Sequence, residues 1–139
     1  MNKVHRFPIR IYFEDTDMGG LVYHANYLKF AERARTELLR HIGVTHIEMI
    51  KEKGMMFVVR SCLLNCLAPA HLDDVLEVRT YLKKLGYAKL DLSQVIVRED
   101  QPIATLEVVL ACINSLGTPV KMDDHLRHLI VIYGSTVES

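Results

Sequence analysis

The sequence predicts an α+β domain in which an antiparallel β-sheet curls around one long α-helix. Two observations lead to this fold class. One amphipathic helical pattern extends over residues 26–42, and four strand-like segments then follow one another with short links between them. Strands joined by short links pair antiparallel, because a parallel pair needs a long crossover. We expect residues 1–139 to form a single domain, since no low-complexity linker or internal repeat divides them.

The first half of the chain predicts a strand, a loop and two helices. Residues 6–14 are rich in Ile, Tyr and Phe and favour a strand, which the polar and glycine-containing run at residues 15–20 ends. Asn26 is the expected N-cap of the long helix, and Gly43 stands where a glycine ends a helix. A shorter helix is expected over residues 45–53. The apolar residues that recur at helical spacing in the long helix are Tyr27, Phe30, Ala31, Ala34, Leu38 and Ile42.

The second half of the chain changes to a strand pattern. Residues 55–67 form an almost continuous apolar run rich in Val, Phe and Cys, which we interpret as a strand covered on both faces. Apolar and polar residues alternate clearly over residues 75–83. Two further strands are expected over residues 89–98 and 103–114, separated by a turn cluster. The chain is expected to end in a helix over residues 123–131.

Composition limits the partners and the location. The chain has 17 Lys and Arg residues and 17 Asp and Glu residues, so no basic surface is expected for nucleic acid or an anionic membrane. No stretch approaches about 18 consecutive apolar residues, and residues 1–8 lack the apolar part of a signal peptide. We therefore expect no transmembrane segment and a cytoplasmic location. Cys62, Cys66 and Cys112 lie in apolar runs and are expected to be buried free thiols of a reducing compartment.

Residues 14–27 combine three carboxylates, a glycine pair, a histidine and the expected helix start. A carboxylate on a strand-to-helix loop can activate water or attack a carbonyl, and free N–H groups at a helix N-terminus can stabilise the resulting oxyanion. Acyl transfer and hydrolysis require this combination. The pattern of Asp15 and Asp17 is also similar to the magnesium-dependent haloacid dehalogenase phosphatases. Those enzymes use a parallel sheet of alternating strands and helices, which the consecutive strands predicted here disfavour.

Four segments of the chain resemble a known family. They are RIYFEDTD at residues 10–17, GGLVYHANYL at residues 19–28, FVVR at residues 57–60 and LDDVL at residues 72–76. In this order they are similar to the hot-dog fold acyl-CoA thioesterases, closest to the 4-hydroxybenzoyl-CoA thioesterase group and most like its bacterial Tol-Pal-associated branch. The resemblance implies that the sheet wraps around the long helix. It also implies hydrolysis of the thioester of an acyl-CoA or an acyl carrier protein.

The resemblance assigns the catalytic carboxylate to Asp17, which either activates water or attacks the carbonyl directly. Backbone N–H groups near His24 and Ala25 are expected to hold the carbonyl oxygen at the positive end of the long helix. The resemblance places the side chain of His24 in the site, where it orients the acyl group or assists Asp17. Tyr23 and Asn26 are candidates for substrate contact, with packing and helix capping as their structural alternatives.

The resemblance also implies how the substrate is held and how the chains assemble. Cations beside the turn after the second long strand are expected to meet the phosphates of CoA, and Lys83 and Lys89 lie there. CoA is part of the substrate, so no cofactor is expected. His125 and His128 could provide two ligands for a metal ion, but no third ligand accompanies them, so no metal is expected. In the family, edge strands pair to form homodimers that often associate into tetramers, with the active site at the subunit interface.

Two other functions stay open from the sequence. A hot-dog dehydratase or hydratase would use His24 and a carboxylate on a β-hydroxyacyl thioester, but its usual spacing of histidine and acid is absent. A non-catalytic protein would instead hold a lipid-synthesis or envelope-associated complex together. The sequence predicts neither the length and type of the acyl group nor whether its carrier is CoA or acyl carrier protein.

Overall fold

Within residues 3–134, which a computed structural model describes, the chain forms one five-stranded antiparallel sheet and three α-helices, as the α+β prediction requires. The strand order is β1-β3-β4-β5-β2. The strands are β1 (Val4–Arg10), β2 (Met56–Cys66), β3 (Val75–Leu85), β4 (Lys89–Arg98) and β5 (Gln101–Ile113), and the helices are α1 (Ala25–His41), α2 (His46–Lys53) and α3 (Asp124–Gly134). This antiparallel pairing rules out the parallel sheet of the haloacid dehalogenase phosphatases.

Helix α1 packs against the sheet through the apolar stripe that the sequence predicts. Phe30, Ala31 and Ala34 are fully buried, and the two alanines let the helix backbone approach the strands closely. A polar contact fixes the position of the helix: Nε2 of Gln94, a fully buried residue of β4, donates to the carbonyl oxygen of Ala31 at 3.0 Å. The same nitrogen donates to Oγ1 of Thr80 on β3 at 3.0 Å. Helix α1 is therefore tied to the middle strands of the sheet.

The first strand is shorter than the sequence predicts. Strand β1 ends at Arg10, and Phe13–Asp15 forms one 3₁₀ turn instead of continuing the strand to residue 14. The turn is stabilised because the carboxylate of Asp15 accepts a hydrogen bond from the backbone N–H of Tyr12 at 2.8 Å. The chain thereby leaves the sheet before it reaches the carboxylate-rich loop.

The start of α1 also differs from the prediction. His24 occupies the N-cap position, so the expectation that Asn26 caps the helix is wrong. The Asn26 side chain is instead buried, and its Nδ2 donates to the carbonyl oxygen of Asp15 at 2.8 Å. This bond joins the first turn of the helix to the loop before it. At the other end, Gly43 has a φ of +102°, which fits its predicted place after the last helical residue.

Strand β2 is an edge strand, so the prediction that residues 55–67 are covered on both faces is wrong. It pairs with β5 alone, with a bulge between Val59 and Ser61. The apolar composition suggests cover on both faces, but Leu63 is 60% exposed. Cys62 and Cys66 are likewise exposed, contrary to the expectation of buried thiols, whereas Cys112 on β5 is buried. An exposed apolar edge of this kind usually meets another chain.

No helix within residues 3–134 is long and apolar enough to span a bilayer.

Helix α2 follows α1 closely and has the caps that its sequence suggests. Oγ1 of Thr45 accepts from the backbone N–H of Glu48 at 3.2 Å, and Gly54 ends the helix with a φ of +64°. Helix α3 adds Leu126 and Ile130 to the same core.

Candidate functional site

The segment between β1 and α1 contains a tight loop, which we call the Asp17 loop (residues 16–22). An isolated antiparallel bridge between Thr16 and Val22 closes it. Inside this bridge, the N–H of Asp17 donates to the carbonyl of Leu21 at 2.8 Å, and the N–H of Gly20 donates to the carbonyl of Asp17 at 3.0 Å. Gly20 has a φ of +78°, which a residue with a side chain adopts only with strain. The loop shape is thus determined mainly by its backbone.

The same backbone orients the carboxylate of Asp17. Its Oδ1 accepts hydrogen bonds from the N–H of Gly19 at 2.9 Å and from the N–H of Leu21 at 3.3 Å. Within residues 3–134 no donor contacts Oδ2, and the residue is exposed. One oxygen is therefore held, while the other is left free of hydrogen bonds within these residues. A carboxylate arranged in this way can take a proton from water or bond to a carbonyl carbon.

Two donors lie unused at the start of α1. The N–H of Asn26 donates to the carbonyl of Tyr23 at 2.8 Å, and the N–H of Tyr27 donates to the carbonyl of His24 at 3.2 Å. The N–H groups of His24 and Ala25, in contrast, have no acceptor in the part of the chain that the structure describes. They lie at the positive end of a 17-residue helix. An oxyanion is the type of group that such donors bind.

The side chains predicted for substrate contact begin directly after the Asp17 loop. Tyr23 and His24 are exposed, and their rings contact each other with centroids 4.7 Å apart. The N–H of Tyr23 donates to the carbonyl of Asp15 at 3.1 Å, and the amide of Asn26 bonds to the same carbonyl. The predicted residues Asp17, Tyr23, His24, Ala25 and Asn26 thus belong to one continuous structure at the N-terminus of α1.

Lys83 and Lys89 lie elsewhere in the chain. Both are exposed at the hairpin that joins β3 to β4. In the β1–β3 pair, Arg10, which leads into the Asp17 loop, lies opposite Val75 at the start of β3. Lys83 follows Val75 by eight residues, which corresponds to roughly 27 Å of strand. Within a single chain the two lysines are therefore at the opposite end of the sheet from Asp17.

A groove runs between α1 and the exposed edge strand β2. It has a volume of about 300 Å³, and Leu28, Arg35, Val59 and Cys62 are among its lining residues. The guanidinium of Arg35 donates to Oε1 of Gln94 at 3.0 Å, and burial lowers the pKa of Arg35. Burial also raises the pKa of the Cys62 thiol, against the opposing effect of the nearby Arg35. A low-pKa nucleophilic cysteine is not found here.

Sequence reasoning did not recognise a second loop, residues 69–74, that lies against the Asp17 loop. The N–H of Val22 donates to the carbonyl of Ala70 at 2.9 Å, and Leu21 forms a bridge with His71. In the sequence, this loop is marked by the LDDVL segment at residues 72–76, to which the resemblance to thioesterases assigns no role. No cluster of three or more potential metal ligands is found among residues 3–134.

Comparisons with known proteins agree with this geometry. A model of the thioesterase-like superfamily matches residues 11–130. The acyl-CoA thioester hydrolase YbgC of Escherichia coli O6:H1 is 42% identical over 112 residues, which cover 80% of this chain and 83% of that protein. The acyl-CoA thioesterase YbgC of Haemophilus influenzae is 40% identical over 108 residues, which cover 78% of this chain and 79% of that protein.

A comparison with solved structures also finds a thioesterase. The probable thioesterase from Bartonella henselae superposes with a TM-score of 0.83 at 35% sequence identity, and the match covers 87% of this chain and 100% of that one. The described sheet and long helix are therefore the architecture of known thioesterases.

Proposed function

Because the chain belongs to the thioesterase-like superfamily and is a hot-dog fold thioester hydrolase, we propose that it cleaves an acyl-CoA with Asp17 as its catalytic carboxylate. The observation that carries the proposal is the arrangement of the Asp17 carboxylate: two backbone N–H groups hold Oδ1, while Oδ2 accepts no hydrogen bond within residues 3–134. The two unused N–H groups at His24 and Ala25 supply the oxyanion site.

The chemistry needs few groups, because a thiolate leaves more readily than an alkoxide. In one route, Oδ2 of Asp17 takes a proton from water while the water oxygen bonds to the thioester carbon. In the other, Oδ2 bonds to that carbon and forms a mixed anhydride, which water then hydrolyses. In both routes the C–S bond breaks and CoA leaves as a thiolate that takes up a proton. Adding hydroxylamine during turnover distinguishes the two routes. Only the anhydride reacts to leave a hydroxamate on Asp17, which mass spectrometry detects.

The test of the proposal is Asp17→Asn. The amide keeps an oxygen that accepts from Gly19 and Leu21, so the loop keeps its shape while the base or nucleophile is lost. We expect the release of CoA thiol from acyl-CoA to fall by at least about a thousandfold in kcat. Glu14→Gln is the matched control, since Glu14 is an exposed carboxylate three residues away, and its kcat should stay unchanged. Wild-type turnover in Asp17→Asn would refute the assignment.

Around Asp17 we assign substrate contact to Tyr23, His24 and Ala25, whereas the buried Asn26, also a candidate from the sequence, holds the preceding loop through its bond to Asp15. His24 orients the acyl group, so His24→Gln should raise KM and lower kcat together. The carrier is CoA or acyl carrier protein, and comparing kcat/KM for the same acyl group on each carrier identifies it. No cofactor or metal takes part in this scheme.

The protein is proposed to act as a homodimer, associating further into a tetramer. The support for this is edge strand β2, on which the apolar residues Val59 and Leu63 are exposed and whose outer edge has no partner strand within residues 3–134. Leu63→Lys should dissociate the assembly in sedimentation experiments and reduce turnover. Leu116→Lys is its matched control, because Leu116 is an exposed leucine in the turn after β5. An active monomer would contradict the proposal.

The assembly also bears on CoA binding and location. Lys83 and Lys89 lie far from Asp17 in their own chain, so contact with CoA phosphates requires the hairpin of a neighbouring copy. Substituting both lysines by Gln should then raise KM for acyl-CoA and leave kcat unchanged. We propose a cytoplasmic location, which cell fractionation tests directly.

A further inference from the structure

The loop at residues 69–74, which we call the support loop, lies directly against the Asp17 loop. Two backbone hydrogen bonds connect them: Val22 N–H to the carbonyl of Ala70 at 2.9 Å, and Leu72 N–H to the carbonyl of Gly20 at 3.4 Å. Between these bonds, Leu21 and His71 form an antiparallel bridge. The Asp17 loop therefore has a second short strand-like segment as its backing.

One arginine side chain contacts both ends of the support loop, in addition to the backbone hydrogen bonds that Asp73 and Asp74 form with Ile11. NH1 of Arg98, at the end of β4, donates to Oδ2 of Asp74 at 2.8 Å and to the carbonyl of Pro69 at 3.0 Å. The same Asp74 oxygen accepts from the backbone N–H of His71 at 2.9 Å. Both side chains are about three-quarters buried, so this contact is better shielded from solvent than a typical surface ion pair.

These contacts form a continuous connection from β4 to the carboxylate of Asp17. Arg98 holds Asp74, Asp74 holds the backbone of His71, and His71 lies opposite Leu21 in the bridge. Leu21 in turn contacts Asp17 twice: its carbonyl accepts from the N–H of Asp17 at 2.8 Å, and its N–H donates to Oδ1 at 3.3 Å. A shift of the support loop must therefore move the donor that orients Asp17.

We propose that Asp74 and Arg98 are positioning residues for thioester hydrolysis, because their hydrogen bonds fix the support loop against which the Asp17 loop takes its active shape. The proposal rests on the function of Asp17 proposed above. Neither residue touches the substrate; each acts through the backbone of His71 and Leu21. What matters is the acceptor oxygen at position 74, not merely the stability that an ion pair adds to the fold.

The test compares two substitutions at one position. Asp74→Ala removes the acceptor, and we expect kcat to fall between about tenfold and a hundredfold, since small displacements of a catalytic group cost this much. KM should change less than about twofold, because substrate contacts are intact. Asp74→Asn keeps an oxygen that can accept from His71 and Arg98, and it should recover most of kcat. Arg98→Met provides a second variant with the expected behaviour of Asp74→Ala.

Glu77→Ala is the matched control. Its carboxylate accepts from Arg6 at 2.9 Å and from Arg79 at 2.7 Å, so the substitution also removes a paired carboxylate, but none of these residues contacts the Asp17 loop. It should lower the melting temperature and leave kcat unchanged at 25 °C.

The inference is overturned if Asp74→Ala and Arg98→Met have lower melting temperatures but keep the wild-type kcat. It is also overturned if Asp74→Asn is as slow as Asp74→Ala. Assaying Asp17→Asn in parallel separates this result from a failure of the proposed function. An inactive Asp17→Asn with a fully active Asp74→Ala refutes only the positioning role, whereas an active Asp17→Asn refutes both.

Discussion

Gly20 offers a direct measure of how strictly the Asp17 loop must keep its backbone shape. Its φ of +78° is in the left-handed region, and a Cβ built on it meets no atom within 4 Å. Gly20→Ala therefore introduces backbone strain without a steric clash. For an alanine this strain is about 1–2 kcal/mol, which corresponds to a fall of roughly 3–10 °C in the melting temperature of a domain of this size.

The loop can relieve that strain only by rotating the peptides that contact Asp17. The N–H of Gly20 donates to the carbonyl of Asp17, and the next N–H, that of Leu21, donates to its carboxylate. We therefore expect Gly20→Ala to lower kcat at least about tenfold in an assay that follows the release of CoA thiol at 25 °C.

Gly117→Ala is the matched control for this experiment. Gly117 has a φ of +81°, and its Cβ would also meet nothing within 4 Å, but it lies in the turn after β5. Both variants should lose stability by a similar amount in thermal unfolding followed by circular dichroism, and only Gly20→Ala should lose turnover. Equal kcat values for the two variants would refute the reasoning that the backbone of the loop orients Asp17.

Two further predictions concern stability. Gln94→Leu should lower the free energy of unfolding by about 3 kcal/mol in urea titrations, because it leaves the partly buried guanidinium of Arg35 and the hydroxyl of Thr80 without their partner; a loss under about 1 kcal/mol would contradict this. Burial, followed by the charge of His41, lowers the pKa of His5, whose Nδ1 is buried without a hydrogen-bond partner. Below about pH 6.5, His5 therefore binds more protons in the unfolded chain than in the folded protein. Its contribution to stability is complete above that pH and is lost as the pH drops through the lowered pKa of the folded state. His5→Phe should flatten this dependence between pH 5 and 7, and an unchanged slope would show that other groups cause it.

Periodicity predicted the helices and the three inner strands closely because each carries its burial pattern in its own residues. The error at β2 has a different origin. Its apolar run predicted burial on both faces, but within one chain the strand lies at the edge, and Leu63 is exposed. Composition reports how much apolar surface must be covered, and it does not tell whether the same chain or another one covers it.

The candidate site could be predicted residue by residue only where its contacts are local in sequence. Asp17, His24 and Ala25 lie within nine residues of one another, and the motif that contains them was recognised. The contribution of residues 69–74 depends on a bridge between distant segments, and a single sequence does not show such pairing. Asn26 illustrates the same point: a residue typical of an N-cap instead bonds to a carbonyl eleven positions earlier.

The backbone construction of the Asp17 loop has an evolutionary consequence. The carboxylate is oriented by main-chain N–H groups at Gly19 and Leu21, and Met18, which lies between Asp17 and Gly19 in the chain, is fully exposed to solvent. Substitution at position 18 therefore changes the surface beside the proposed catalytic carboxylate without removing the N–H groups that orient it. The residue at position 18 can thus vary during evolution while the main-chain contacts of Asp17 stay the same.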